Sequence, residues 1–358
     1  MNRIIDLDVS NFTVGVEAGI VNSELQKRLV EHNFFFPFDP PYMETSTIGG
    51  ELAANASGPL RFLYGTARDL VLGVTVVTPT GEIIHAGGKT MKNVAGLDLC
   101  KMFIGSWGTL GIITEAVLRL FPVPETGKSM WLTFSNFEDA FRSVSQLLNS
   151  VLTPGSIELI DGVAGGSLEY GSRLKESEVL LMVNIEGDNE GVNRQVKEVG
   201  TIARANKVRN VVTIEGEDVN LAWNAYRVVP PSILCADPLT VQGKASVPIS
   251  QLENMFKVTK EIGDKYSVKI GIMAHCGNGI LYPYIAARNA DVAPILGDLR
   301  QAAEDLGGFF IVEAAPLQVR KTADGLLHRS DYSLMKKLKE EFDPNNVLNP
   351  GRVVGGLD

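Results

Sequence analysis

The chain has 358 residues, 45% of them hydrophobic, with 33 Lys plus Arg against 42 Asp plus Glu and a net charge of -9. One core stops growing near about 250 to 300 residues, so more than one domain is expected, while the negative charge disfavours nucleic acid and anionic lipid as partners. Cys100, Cys235 and Cys276 show no CxxC spacing, which excludes a disulfide scaffold or zinc finger and fits a reducing compartment.

The first eight residues lack the apolar core of a signal peptide, and no run approaches the ~18 apolar residues of a membrane-crossing helix, so a cytoplasmic protein is expected. Residues 12–17 alternate as a strand does. Asn22 or Ser23 can then cap a helix whose Val21, Leu25 and Leu29 recur every four residues. Residues 70–78 are β-branched and apolar, Pro79-Thr80-Gly81 carries turn chemistry, and residues 82–85 return, which predicts a hairpin. Another strand is predicted over 111–120, followed by the double-proline break Phe121-Pro122-Val123-Pro124, which sets a domain boundary near residue 125.

Beyond it, Trp131 to Phe134 reads as a strand and Phe137, Phe141, Val144 and Leu148 mark one helical face. A strand over 179–183 and helices over 192–207, 251–266 and 292–306 extend an α+β pattern without a visible internal repeat. A last helix over 332–342 is stopped by Asp343-Pro344.

Small residues and hydroxyls crowd the segment from Thr45 to Pro59, with Tyr64-Gly65 and Arg68-Asp69 close behind. Such a stretch leaves backbone amides uncovered, as a wall against a large flat ligand requires. Gly49 and Gly50 would let amides approach that ligand, and Thr45, Ser46 and Thr47 would add hydroxyl donors.

Five motifs in order then carry a resemblance. They are Thr47-Ile48-Gly49-Gly50, Tyr64-Gly65 with Arg68-Asp69, Lys92-Asn93-Val94-Ala95-Gly96-Leu97-Asp98, Gly105 to Thr114, and Asp343-Pro344 with Asn349-Pro350-Gly351. Through them the chain resembles the FAD-linked oxidases of the vanillyl-alcohol oxidase type, and among these the E-type subunits of bacterial glycolate oxidases. The resemblance implies an α+β protein with a PCMH-type FAD-binding domain over 1–125, a ferredoxin-like substrate or cap domain over 126–330, and a tail over 331–358 returning to the cofactor. It also implies a glycine-rich diphosphate loop ahead of Met1, so the FAD-binding domain is expected to be incomplete at its N-terminus. The implied FAD contacts are Thr45, Ser46, Thr47, Ile48, Gly49, Gly50, Asn55, Gly58, Tyr64, Gly65, Arg68, Asp69, Gly111, Ile112, Ile113 and Asn349.

In the catalytic relatives an arginine, a lysine and a metal held by two histidines and a glutamate serve oxidation of a 2-hydroxy acid. Arg227 and Lys244 match the first two and can grip a carboxylate, and His275 is the candidate base. The metal set is half present: His275 and Glu313 match, whereas Tyr282 stands at the second histidine and Ala314 at the histidine beside the glutamate. Trp107 stands where catalytic relatives carry a glutamate. The resemblance thus implies an FAD-dependent 2-hydroxyacid (glycolate or D-lactate) oxidoreductase subunit working with a D-type flavoprotein subunit and an iron-sulfur subunit, with at most peripheral membrane association through them. The alternative it leaves open is a non-catalytic FAD-holding or assembly subunit.

Overall fold

The structure, a computed structural model, describes residues 1–90, 96–168, 174–286, 291–322 and 330–352, so Lys92 to Ala95 of the third motif lie outside the described residues. The chain forms two compact units, Met1–Val123 with Leu326–Asp358, and Pro124–Gly325.

The first unit runs β1 (Ile4–Asp8), β2 (Thr13–Glu17), α1 (Asn22–Val30), β3 (Phe34–Phe35), α2 (Ile48–Ala54), α3 (Arg61–Tyr64), α4 (Ala67–Leu70), β4 (Val71–Val77), β5 (Ile83–Gly87), α5 (Leu99–Phe103), β6 (Ile112–Arg119) and β7 (Phe121–Pro122). Its main sheet is antiparallel in the order β1-β2-β6-β4-β5. Val14 and Val16 of β2 and Ala116 and Leu118 of β6 bury against Leu25 and Leu29 of α1 and Ile48 and Leu52 of α2. The hairpin β4–β5 turns through Gly81, whose positive φ of 86° suits glycine. Two local expectations change. Val21 holds the N-cap position of α1 with no side-chain cap, and neither Asn22 nor Ser23 caps it, Asn22 being fully buried and reaching Glu51; Phe121-Pro122 does not merely break the chain but pairs with β3.

The second unit holds β8 (Thr126–Phe134), α6 (Phe137–Leu148), β9 (Ser156–Asp161), β10 (Val179–Gly187), α7 (Asn189–Ala205), β11 (Asn210–Glu215), α8 (Asp218–Arg227), α9 (Val229–Ala236), β12 (Thr240–Ser246), α10 (Leu252–Lys265), β13 (Ile270–His275), β14 (Ile280–Ala286), α11 (Val292–Asp305), β15 (Phe309–Ala314) and α12 (Leu317–Thr322). The order of its sheet is β11-β8-β10-β9-β13-β14-β12-β15. A structural repeat underlies it, although none is visible in the sequence. β8-α6-β9-β10-α7-β11 and β12-α10-β13-β14-α11-β15 are two βαββαβ halves of ferredoxin-like topology, joined edge to edge where β9 meets β13. At the seam β9 and β13 cover each other's ladder over three residue pairs. Helices α6, α7, α10 and α11 pack on the strands of their own half. A separate cluster forms where Ala222, Trp223, Tyr226 and Val229 of α8 and α9 meet Trp131, Ile160, Met182, Met273 and Tyr284 of the strands.

The tail returns to the first unit as α13 (Tyr332–Phe342). Phe342 meets Phe103 edge-to-face at 6.0 Å. Buried Lys339 donates to the carbonyls of Thr109 at 3.2 Å and Leu348 at 2.9 Å and pairs with Asp343.

Candidate active site

In the first unit, Thr47 caps α2, its Oγ1 accepting from the Gly50 amide at 3.3 Å. The Ile48 and Gly49 amides donate inward to the carbonyls of Ile20 and Ala18 at 2.9 and 2.7 Å. A Cβ on Gly49 would lie 2.6 Å from the Ala18 Cβ. The Gly49 amide is therefore spent within the fold, and this glycine serves close packing. Gly50 differs: it is exposed, and an added Cβ would meet only Thr47 Oγ1 at 3.3 Å. The fold does not require glycine there, whereas a flat group pressed onto the helix does. With Ala53, Ala54, Ala56 and Ser57 partly exposed beside it, Gly50 opens a low wall that fits a flavin.

The hydroxyls of Thr45 and Ser46 are taken by the Tyr42 carbonyl at 3.3 and 2.9 Å, so they close a turn rather than stand free as donors. Ser46 also meets Glu51 at 2.5 Å. Asn55 has a positive φ of 47°, and its buried Oδ1 has no hydrogen-bond partner among the described residues. That orphan acceptor suits a ligand N–H. Gly58 must be glycine because a Cβ would sit 1.9 Å from the Asp39 carbonyl oxygen.

The ring of Tyr64 packs between Phe35 and Phe121 at 5.5 and 5.0 Å. Gly65 turns the chain at φ 90°, Arg68 donates to the Ile104 carbonyl at 3.0 Å, and Asp69 caps α4 through Thr66. Gly111 packs on Val76, which a Cβ would approach to 2.4 Å. Ile112 and Ile113 pair with β4, and β2 covers the other side of β6 only from Glu115 on, so their second side lacks a strand partner among the described residues. Asn349 donates from Nδ2 to the Trp107 carbonyl at 2.8 Å and thereby fixes the 106–109 loop, whose Trp107 is half exposed rather than packed in this unit's core.

Glu51, on α2 behind this wall, is 3% exposed and bound by Asn22 Nδ2 at 2.8 Å as well as by Ser46. Burial pushes its carboxyl up to about 7, against those two hydrogen bonds.

In the second unit, strand register places one polar row across five strands. Glu158 of β9 lies opposite His275 of β13, Tyr282 of β14 opposite Met273 two residues away, and Lys244 and Gln242 of β12 reach Glu313 of β15. Period-two alternation puts these residues on one face. Glu158 Oε2 accepts from the Tyr226 hydroxyl at 2.6 Å and lies 2.7 Å from His275 Nδ1. The Tyr282 ring meets His275 edge-on at 5.3 Å, and the Lys244 ammonium sits 5.7 Å from the Tyr282 centroid. Lys244 pairs with Glu313 Oε1 at 3.2 Å and Gln242 donates to Oε2 at 3.1 Å. Burial beside Glu158 drives the Tyr226 phenol and the Cys276 thiol well above their ordinary values, so both stay protonated. Arg227 closes α8 and bonds Asn224 one turn back.

The donors in this row do not fit a metal ion. Both oxygens of Glu313 are engaged, His275 Nδ1 is bound to Glu158, Tyr282 stands at the second ligand position, and among the described residues no three His, Cys, Asp or Glu side chains cluster. Sequence reasoning missed Glu158 and Tyr226. Glu158 and Asp161 are the two charged residues of the otherwise apolar strand Ser-Ile-Glu-Leu-Ile-Asp, and that burial conflict was the available signal.

Residues 123–353 match the family model described as FAD linked oxidases, C-terminal domain, and residues 1–87 that of an FAD binding domain. The glycolate oxidase subunit GlcD of Bacillus subtilis is 32% identical, with 99% of this chain and 77% of that protein aligned. A D-lactate dehydrogenase of Anaerostipes hadrus is 27% identical over 99% and 78%. Two solved structures share the fold. p-Cresol methylhydroxylase with substrate bound has a TM-score of 0.76 at 16% identity, over 99% of this chain and 78% of that one. An alkyldihydroxyacetonephosphate synthase has a TM-score of 0.72 at 23% identity, over 98% and 66%. The expected family, α+β fold class and FAD cofactor are thereby borne out.

Proposed function

Since this chain belongs to the FAD-linked oxidases, we propose that it is the FAD-holding subunit of a glycolate oxidase or D-2-hydroxyacid (D-lactate) dehydrogenase complex. Bound FAD supplies a two-electron acceptor at its N5. Gly50, Asn55, Ile112 and the small residues of α2 would hold it. The Lys244 ammonium and the Arg227 guanidinium bind the substrate carboxylate, the latter through its two-pronged fork. His275 would take the proton of the C2 hydroxyl, and the hydride leaving C2 would be accepted by bound FAD, so that the substrate becomes a 2-oxo acid.

The observation that carries this reading is the row on one sheet face, in which Lys244 is held by Glu313 and linked through Tyr282 to His275. Electrons then pass to an iron-sulfur partner, in a cytoplasmic complex with a D-type flavoprotein subunit. Among the described residues no helix is long and apolar enough to cross a membrane, which is compatible with that assembly.

A second reading draws on Tyr282 and Ala314, which stand where ligand-bearing relatives carry histidines: the chain holds FAD or shapes the complex while its D-type partner oxidises substrate. Anaerobic glycolate or D-lactate separates the two. Bleaching of the flavin band by the isolated chain, lost in Arg227→Ala, supports catalysis here. Bleaching that appears only after a D-type subunit is added supports the second reading.

A further inference from the structure

The seam between the two ferredoxin-like halves carries the most deeply buried charge of the polar row. β9 and β13 pair over only three residues, Met273 with Ile160, Ala274 with Leu159 and His275 with Glu158, and the last pair places a carboxylate directly opposite an imidazole. Glu158 is 1% and His275 7% exposed. The same carboxylate oxygen, Oε2, meets the Tyr226 hydroxyl at 2.6 Å and His275 Nδ1 at 2.7 Å. Tyr226 is itself fixed by an edge-to-face contact with Trp223 at 5.7 Å. A carboxylate can only accept, so each neighbour must donate: the phenol gives its proton to Oε2, and the imidazole must carry its own on Nδ1. The lone pair of a neutral His275 then lies on Nε2.

The geometry points to Glu158, held by Tyr226, as the positioning group that fixes His275 in the Nδ1–H form and turns Nε2 into its basic atom. This rests on the reading of His275 as the base and names the residues that make it one. A base oriented by a third group is the general arrangement for activating a hydroxyl, and here the third group comes from the other structural half. Tyr226 has a definite part: with one donor already on Oε2, the carboxylate is restrained from swinging toward other partners.

The test is nitrogen-15 NMR on the full chain loaded with oxidised FAD and labelled at histidine. Of the four histidines, the signals lost in His275→Asn are those of interest. Wild type is expected to show His275 with a protonated Nδ1 and a bare Nε2, and Tyr226→Phe should retain that form. The paired change Glu158→Leu with Tyr226→Phe, which leaves neither group unpartnered, should move the proton to Nε2. It should also slow flavin bleaching by glycolate or D-lactate about 100-fold or more, with KM changed less than about threefold. A bare Nδ1 in wild type overturns the inference whatever the variants do, as does a paired variant that keeps the Nδ1 proton. If wild type shows the Nδ1 proton but His275→Asn still bleaches at the parental rate, the positioning stands and the reading of His275 as base fails.

Discussion

A methyl group added at Gly49 and one added at Gly50 meet opposite environments, although the two positions are neighbours with the same side chain. Gly49→Ala drives a carbon to 2.6 Å from Ala18 and is expected to cost about 1 to 3 kcal/mol of stability in urea unfolding. Gly50→Val should leave unfolding within about 1 kcal/mol of the parent, since the one atom near an added Cβ is the hydroxyl of the side chain of Thr47 at 3.3 Å, yet weaken FAD at least about tenfold in a fluorescence titration. Unchanged FAD affinity in Gly50→Val would remove that residue from the wall. Nothing in the letters Gly-Gly separates the two roles, because one depends on Ala18, a residue far back in the chain. Glu51 sets the pH response. Its carboxyl rises from the ordinary 4.5 to about 7 in the folded chain, so between those values the fold retains a proton that the unfolded chain releases. Stability contributed by that proton is present below pH 4.5 and lost as pH rises to 7, at about 1.4 kcal/mol per unit. Glu51→Gln should therefore gain about 2 to 3 kcal/mol on wild type when urea unfolding moves from pH 5 to pH 8. A constant difference across that range would show that Glu51 ionises in the fold as it does in water.

Elements with their own signal were legible. α13 falls on Tyr332–Phe342 as expected because Asp343-Pro344 stops it, and β4–β5 forms where Pro79-Thr80-Gly81 demanded a turn. Strands β13 and β14 were not legible: both faces are covered, so they read as largely apolar runs without a period. The doubled βαββαβ unit escaped for a related reason. Its halves share an order of elements rather than a pattern of residues, so nothing repeats in the sequence itself. The tail shows what an element can do beyond its own packing. Lys339 ties α13 to the Thr109 and Leu348 carbonyls, while Asp343, which burial pushes up, is held net below its ordinary value by Lys339 and the amides of Leu348 and Val347. Lys339→Met leaves that carboxylate buried without its cation and should cost about 3 to 5 kcal/mol. Hydrogen exchange should quicken across residues 106–110, where Lys339 and Asn349 hold the loop. Parental exchange rates there would mean that the tail does not brace the cofactor wall.

At the scale of the molecule, each unit carries its own buried cluster, one around the β2–β6 sheet and one under α8 and α9. Residues 124–325 expressed alone should unfold in a single cooperative transition with native-like circular dichroism. A fragment that melts without cooperativity would make the halves dependent on the first unit. The assignment of work follows this division: the first unit presents the wall opened by Gly50, and the second presents the row from Glu158 to Glu313. The wall was readable because five motifs lie in order along the chain. The seam was not, since Glu158, Tyr226 and His275 come together only when two distant strands pair.

The most direct measurement is the absorbance of the purified chain from the near ultraviolet to the blue, before and after incubation with FAD and removal of the unbound nucleotide. The account predicts a retained flavin band at close to one FAD per chain, sharply reduced in Gly50→Val. A wild-type chain that emerges colourless from excess FAD would contradict it.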